Sequence, residues 1–133
     1  MDANENPHLS IVIPTLDAAD SLAATLGAVA GGGAEVIVVD GGSVDATRAI
    51  AEGHGATVVT ASRGRGAQLV EGAGRASGRW LLFLHADTVP GAGWAEAVAQ
   101  FTADPANHDS AAVFRFALDD KGAAPRLLER GVA

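Results

Sequence analysis

Four short, mostly apolar runs recur along the chain, each followed by a stretch with helical spacing. Residues 9–13 (Leu-Ser-Ile-Val-Ile) predict a first strand, closed by Pro14, which cannot donate to a ladder. The next stretch places Leu22, Leu26 and Val29 on one helical face, with Asp17 or Asp20 as the expected cap and Gly31-Gly32-Gly33 as the stop. Residues 35–39 predict a second strand, followed by a turn through Asp40-Gly41-Gly42-Ser43. A helix over 44–52, with Ser43 as its cap, leads to a third strand at 56–59. A basic, glycine-rich loop at 61–66 opens a helix running to Ser77. Gly72 and Gly74 inside that helix each cost about 1 kcal/mol relative to alanine, a cost expected where another backbone or a ligand must come close.

Trp80-Leu81-Leu82-Phe83-Leu84 shows no alternation at all, the signature of a strand buried on both faces. It stops in His85-Ala86-Asp87, an imidazole and a carboxylate just past a strand end. A further helix follows Pro90-Gly91, with Trp94, Val98 and Phe101 on one face. The alternating run 111–117 predicts a last strand, and 126–130 the beginning of a helix. Strand and helix alternating in this way predict an α/β fold with a doubly wound, mostly parallel, Rossmann-like sheet. There is no internal repeat and no linker, so one domain over 1–133 is expected.

Composition narrows the class. At 133 residues with 48% hydrophobic content and a mean hydropathy of +0.20, the chain has enough apolar material for one real core. It has no cysteine, which excludes disulfides and thiolate metal sites. No apolar run reaches the length of a membrane span and the first residues are polar and acidic, so a cytoplasmic protein without a membrane span is expected. A net charge of −7 argues against nucleic acid as a partner. The charge is uneven, however. Up to Ser62 there are eight acids and one base, Arg48, whereas 63–79 holds four arginines against Glu71 alone. A basic segment in an acidic chain points to an anion site.

Strand ends are where open α/β sheets bind ligands. In the usual strand order 3-2-1-4, Asp40 and Asp87 would follow the two strands flanking the first, about 10 Å apart on one rim. That spacing suits a nucleoside held by one acid and a diphosphate held through a divalent metal by the other. Magnesium and manganese take one or two carboxylates together with phosphate oxygens. A nicotinamide site is disfavoured, since Pro14-Thr15-Leu16 stands where Gly-x-Gly-x-x-Gly belongs.

Taken together, Ser10-Ile11-Val12-Ile13-Pro14-Thr15-Leu16, Val38-Val39-Asp40-Gly41-Gly42-Ser43-Val44-Asp45 and Leu82-Phe83-Leu84-His85-Ala86-Asp87-Thr88 resemble family-2 glycosyltransferases of the GT-A fold. The likeness is to the bacterial branch with a His-Ala-Asp-Thr motif and a loop like Arg63-Gly64-Arg65-Gly66-Ala67-Gln68. The resemblance implies inverting transfer from a nucleotide-diphosphate sugar with Mn or Mg as cofactor. It implies donor contacts from Pro14, Thr15, Asp40, Arg63, Arg65, Gln68 and His85, and a metal ligand in Asp87. His85 stands where the family's first acid usually is. Asp17-Ala18 replaces a common Asn-Glu, and Val70 a common asparagine. The family's acceptor half and catalytic base are expected beyond Ala133, so a truncated donor half is expected, with catalytic residue and acceptor unknown. The alternative is an inactive nucleotide-binding or assembly module. Val113, Phe114, Phe116, Leu127, Leu128 and Val132 are expected to leave an apolar surface through which the chain forms a homo-oligomer.

Overall fold

The computed structural model describes residues 8–114 and 127–131. They fall into two compact units, one ending at Val89 and one beginning at Pro90, and each is described by itself.

The first unit is built on four parallel strands: β1 (Leu9–Thr15), β2 (Glu35–Asp40), β3 (Thr57–Thr60) and β4 (Trp80–Phe83). Their order is β3-β2-β1-β4, the order expected of a doubly wound sheet. Helices α1 (Leu22–Val29), α2 (Thr47–Gly53) and α3 (Arg65–Arg75) make the crossovers. The unbroken β-branched runs of β1 and β2 match their position. Ile11, Val12, Ile13, Val38 and Val39 are fully buried, as side chains on both faces of a central strand must be.

Three local expectations are corrected by tertiary context. Pro14 does not close β1, which runs on to Thr15. Thr15 and Val12 carbonyls point to opposite neighbours, since they accept from Gly41 and Leu84 N–H respectively. Alternation therefore aims the missing Pro14 donor at the β4 side, past Phe83, the last residue of β4, so that only the end of that ladder is affected. The run 80–84 is not buried on both faces. β4 is one of the two edge strands of the four, and Leu81 and Phe83 are 40% and 48% exposed. An apolar run reads alike in a central and an edge strand, and here β1 takes the central place. The expected caps are also absent. Ser21, not Asp17 or Asp20, precedes α1, and Ala46, not Ser43, precedes α2. Asp17 and Ser43 are engaged across the chain instead.

The glycine expectation splits in two. A β-carbon on Gly72 would stand 2.3 Å from Val12 Cγ1 and 2.9 Å from Val39 Cγ2, so α3 lies close on the sheet at this point. Gly74 has nothing within 4 Å. Gly72→Ala is therefore expected to cost about 1–3 kcal/mol by overpacking a β-branched wall, despite the gain in helix propensity. Gly74→Ala should gain up to about 1 kcal/mol. Urea unfolding of both variants checks the pair, and equal stability of the two would contradict the close approach.

In the second unit, α4 (Trp94–Ala103) is followed by a 3-10 turn (Pro105–Asn107) and by β5 (Ala111–Phe114), which pairs antiparallel with β6 (Leu127–Gly131). Trp94 is buried and Val98 and Phe101 are half-buried, the face that their spacing predicts. The helix expected over 126–130 is corrected: residues 127–131 form a strand. Cross-strand pairing with β5 decides the conformation of a segment too short to nucleate a helix unaided. Phe116 and Val132, two of the six apolar residues expected to mediate self-association, lie outside the described residues.

Candidate functional site

Beyond the carboxyl ends of β1 and β4, an open hollow of about 440 Å³ is lined by residues 14–18, Ser21, Arg63, Gly64, Arg65, Gln68 and residues 85–87. Its size is that of a small-molecule site. Of the residues expected from the sequence, Pro14, Thr15, Arg63, Arg65, Gln68, His85 and Asp87 all line it.

Asp40 does not. Its side chain is wholly buried at the end of β2 and is surrounded by donors. Oδ1 accepts from the Thr15 and Ser43 hydroxyls at 2.9 and 2.5 Å, and Oδ2 from the Gly42 and Ser43 N–H groups at 3.1 and 2.8 Å. Burial pushes this carboxyl up, but the Ser43, Thr15 and Gly42 bonds outweigh it and hold the group below its ordinary value. Asp40 thus stands behind the hollow, where it fixes Thr15 at its edge and the turn that follows β2.

That turn is interlocked with the loop after β1. Ser43 Oγ accepts from Asp17 N–H at 2.8 Å while donating to Asp40, and Asp17 Oδ1 accepts from Val44 N–H at 2.8 Å. Asp45 accepts from Ala19 N–H, from Thr47 N–H and from the Thr47 hydroxyl, which lowers its pKa, while the same hydroxyl accepts from Ala18 N–H. Asp17 takes a left-handed φ of 50° within this mesh. One wall of the hollow is therefore stiffened by polar groups that sequence patterning reads only as helix caps.

Gln68 ties a second wall to the sheet. It is 4% exposed, and its Nε2 donates to the Thr15 and Val39 carbonyls at 2.9 and 2.8 Å while its Oε1 accepts from Gly64 N–H at 3.2 Å. A β-carbon on Gly41 would stand 3.1 Å from this amide, so glycine there leaves it room. The bonds anchor the start of α3 beneath Arg63 and Arg65, both exposed and both without an ion-pair partner among the described residues. Arg75, by contrast, pairs with Glu71 at 3.3 Å, outside the hollow. Two guanidinium groups beside a helix N-terminus make this wall attractive to an anion.

The third wall is His85-Ala86-Asp87, with the imidazole and the carboxylate exposed. Among the described residues no three His, Cys, Asp or Glu side chains gather into a metal cage. One carboxylate with an imidazole beside it, facing an anion-attracting wall, nevertheless fits a hard divalent cation that completes its shell with phosphate oxygens. Leu16, Asp17, Ala18, Ser21, Gly64 and Ala86 also line the hollow and are not among the ligand contacts expected from the sequence.

The sequence profile of glycosyl transferase family 2 matches residues 10–130. The chain belongs to glycosyl transferase family 2. Its fold is shared with several solved proteins. TarS (residues 1–349) of S. aureus superposes with a TM-score of 0.66 at 22% identity, over 78% of this chain and 34% of that one. Glucosyl-3-phosphoglycerate synthase from Mycobacterium tuberculosis, in complex with UDP, gives 0.64 at 23% identity, over 77% and 43%. A mannosyltransferase from Pyrobaculum calidifontis, in complex with GDP-Man and Mn2+, gives 0.64 at 25% identity, over 78% and 34%. This chain thus spans between about a third and about two fifths of the length of these solved proteins. No curated protein sequence matches it significantly. Among the described residues, no helix is long and apolar enough to cross a membrane.

Proposed function

We propose that the hollow binds the nucleoside diphosphate of a nucleotide-sugar donor together with Mn2+ or Mg2+, for inverting glycosyl transfer. The observation that carries this reading is the convergence on one hollow of two exposed arginines, a helix N-terminus and the His85–Asp87 pair, at the strand ends of a family-2 glycosyltransferase fold. The Pro14–Thr15 edge, held by Asp40 and Gln68, lies on the nucleoside side. Arg63, Arg65 and the α3 N-terminus face the diphosphate. Asp87 would hold the cation, with His85 beside it, and the bound cation would supply charge neutralisation for the leaving diphosphate. The arginines add fixed positive charge where negative charge develops, so they stabilise departure of the nucleotide more than its binding. Inversion further requires a carboxylate within hydrogen-bond reach of the acceptor hydroxyl. No described residue is assigned that part.

Titration calorimetry with UDP and with GDP, each with and without Mn2+, tests the reading. Saturable binding of at least one nucleotide, tightened about tenfold or more by the metal, is expected. No heat with either nucleotide under any condition would refute it. Incubation with a UDP- or GDP-sugar then separates transferase from binding module: binding without turnover identifies the module.

A further inference from the structure

The loop that carries Asp87 is held by two hydroxyl groups, one from α1 and one from the residue that precedes it. Thr25 Oγ1 donates to the Ala86 carbonyl at 2.8 Å, and Ser21 Oγ donates to the same oxygen at 3.1 Å. The accepting carbonyl belongs to the peptide that joins Ala86 to Asp87, so fixing it fixes the direction from which Asp87 leaves the backbone. A third tie, from Thr88 N–H to the His85 carbonyl at 3.1 Å, closes the turn around the pair.

Two features set these hydroxyls apart from ordinary helix decoration. Ser21 occupies the position before α1 where serine normally accepts from an N–H of the first turn, yet it makes no such bond and reaches Ala86 instead. Thr25 lies one turn further along on the buried face and is fully buried, so the donor end of its bond is shielded from water. A capping serine that forgoes the cap, and converges with a helix threonine on one loop carbonyl, breaks a local rule, and such breaks concentrate where function requires them.

We propose that Thr25, with Ser21, is a positioning residue for the metal-binding carboxylate: it sets the metal-dependent part of nucleotide affinity without touching nucleotide or metal. Thr25 does not line the hollow, whereas Ser21 does, which makes Thr25 the informative position to change. The inference rests on the proposed donor site, and its test separates the failure of one from the failure of the other.

Thr25→Val keeps the shape and removes the hydroxyl, and Thr25→Ser keeps the hydroxyl and removes a methyl group. UDP and GDP affinities are measured for both variants and the unmodified chain, with and without Mn2+, alongside amide hydrogen exchange at residues 85–88 in the metal-free protein. Thr25→Val is expected to reduce the Mn2+-dependent gain about fivefold, roughly the factor that one hydrogen bond carries, and to leave metal-free affinity within about twofold. Amides of the 85–88 loop should exchange faster by a similar factor, and Thr25→Ser should restore both quantities. A purely structural role would lower metal-free and metal-dependent affinity together and would not follow the hydroxyl. An unmodified chain with no Mn2+-dependent gain overturns the donor-site reading and this inference with it. A normal gain that Thr25→Val leaves intact, or unchanged exchange at 85–88 in that variant, overturns the inference alone.

Discussion

Asp40→Ala is expected to destabilise the protein by about 2–4 kcal/mol, the largest effect of any single change at the rim of the sheet. Four donors converge on that buried carboxylate, and alanine would leave the Gly42 and Ser43 N–H groups and the Thr15 hydroxyl without this acceptor. Asp40→Asn should be milder, at about 1–2 kcal/mol. Its oxygen can face the two N–H groups while its amide donates to the Thr15 and Ser43 hydroxyls, which can rotate to accept as N–H groups cannot. The two variants also separate the charge from the hydrogen bonds through pH. The Asp40 pKa is lowered on folding, so its ionised form contributes stability that is complete above the ordinary value of 3.8 and is lost as pH falls through the lower folded value. Glu35 and Asp45 are lowered as well and share that window. The part due to Asp40 is the difference between the unmodified chain and Asp40→Asn, which should narrow on acidification below about pH 3.8. Urea unfolding from pH 7 to pH 2.5 reads both quantities. Stability of Asp40→Ala within about 0.5 kcal/mol of the unmodified chain would contradict the positioning role.

How far these features were legible beforehand depends on the range of the interactions behind them. The alternation of strands and helices follows from β-branched runs spaced by helical segments, a pattern that local sequence carries, and the strand order is the one usual for such a sheet. The depth of Gly72 was foreshadowed by a glycine in a helix, but only the Val12 and Val39 side chains distinguish it from Gly74. Caps were misplaced because Ser43 and Asp17 bond to each other's loops across 26 residues or more, which no local rule registers. The strand at Leu127–Gly131 depends on its pairing with Ala111–Phe114, again a distant partner. Likewise, Leu81 and Phe83 look like core residues until the strand order places β4 at an edge.

The site shows the same division. Asp87, His85, Arg63 and Arg65 were visible as chemistry at strand and helix ends, and they gather in one hollow. Asp40 was visible as well, but its depth was not. A buried acid with four donors and an exposed acid awaiting a ligand read identically in sequence. Thr25 went unnoticed because a threonine on the buried face of a helix carries no signal until the Ala86 carbonyl is found beside it.

Asp87→Asn should bring the other large change, in binding rather than stability, since Asp87 is exposed and forms none of the sheet-end bonds that Asp40 does. Removing the one carboxylate of the His85–Asp87 wall takes away the anionic oxygen on which a hard cation depends. A loss of about 100-fold in Mn2+-dependent nucleotide affinity is expected, with metal-free affinity little changed. Paramagnetic broadening of backbone amide signals by Mn2+, in the presence of UDP or GDP, locates the cation directly. The donor-site account predicts that broadening centres on residues 85–88, extends to residues 63–65, and disappears in Asp87→Asn. Broadening centred on another acidic segment, such as Asp104 to Asp109, or a pattern that survives in Asp87→Asn, would contradict it.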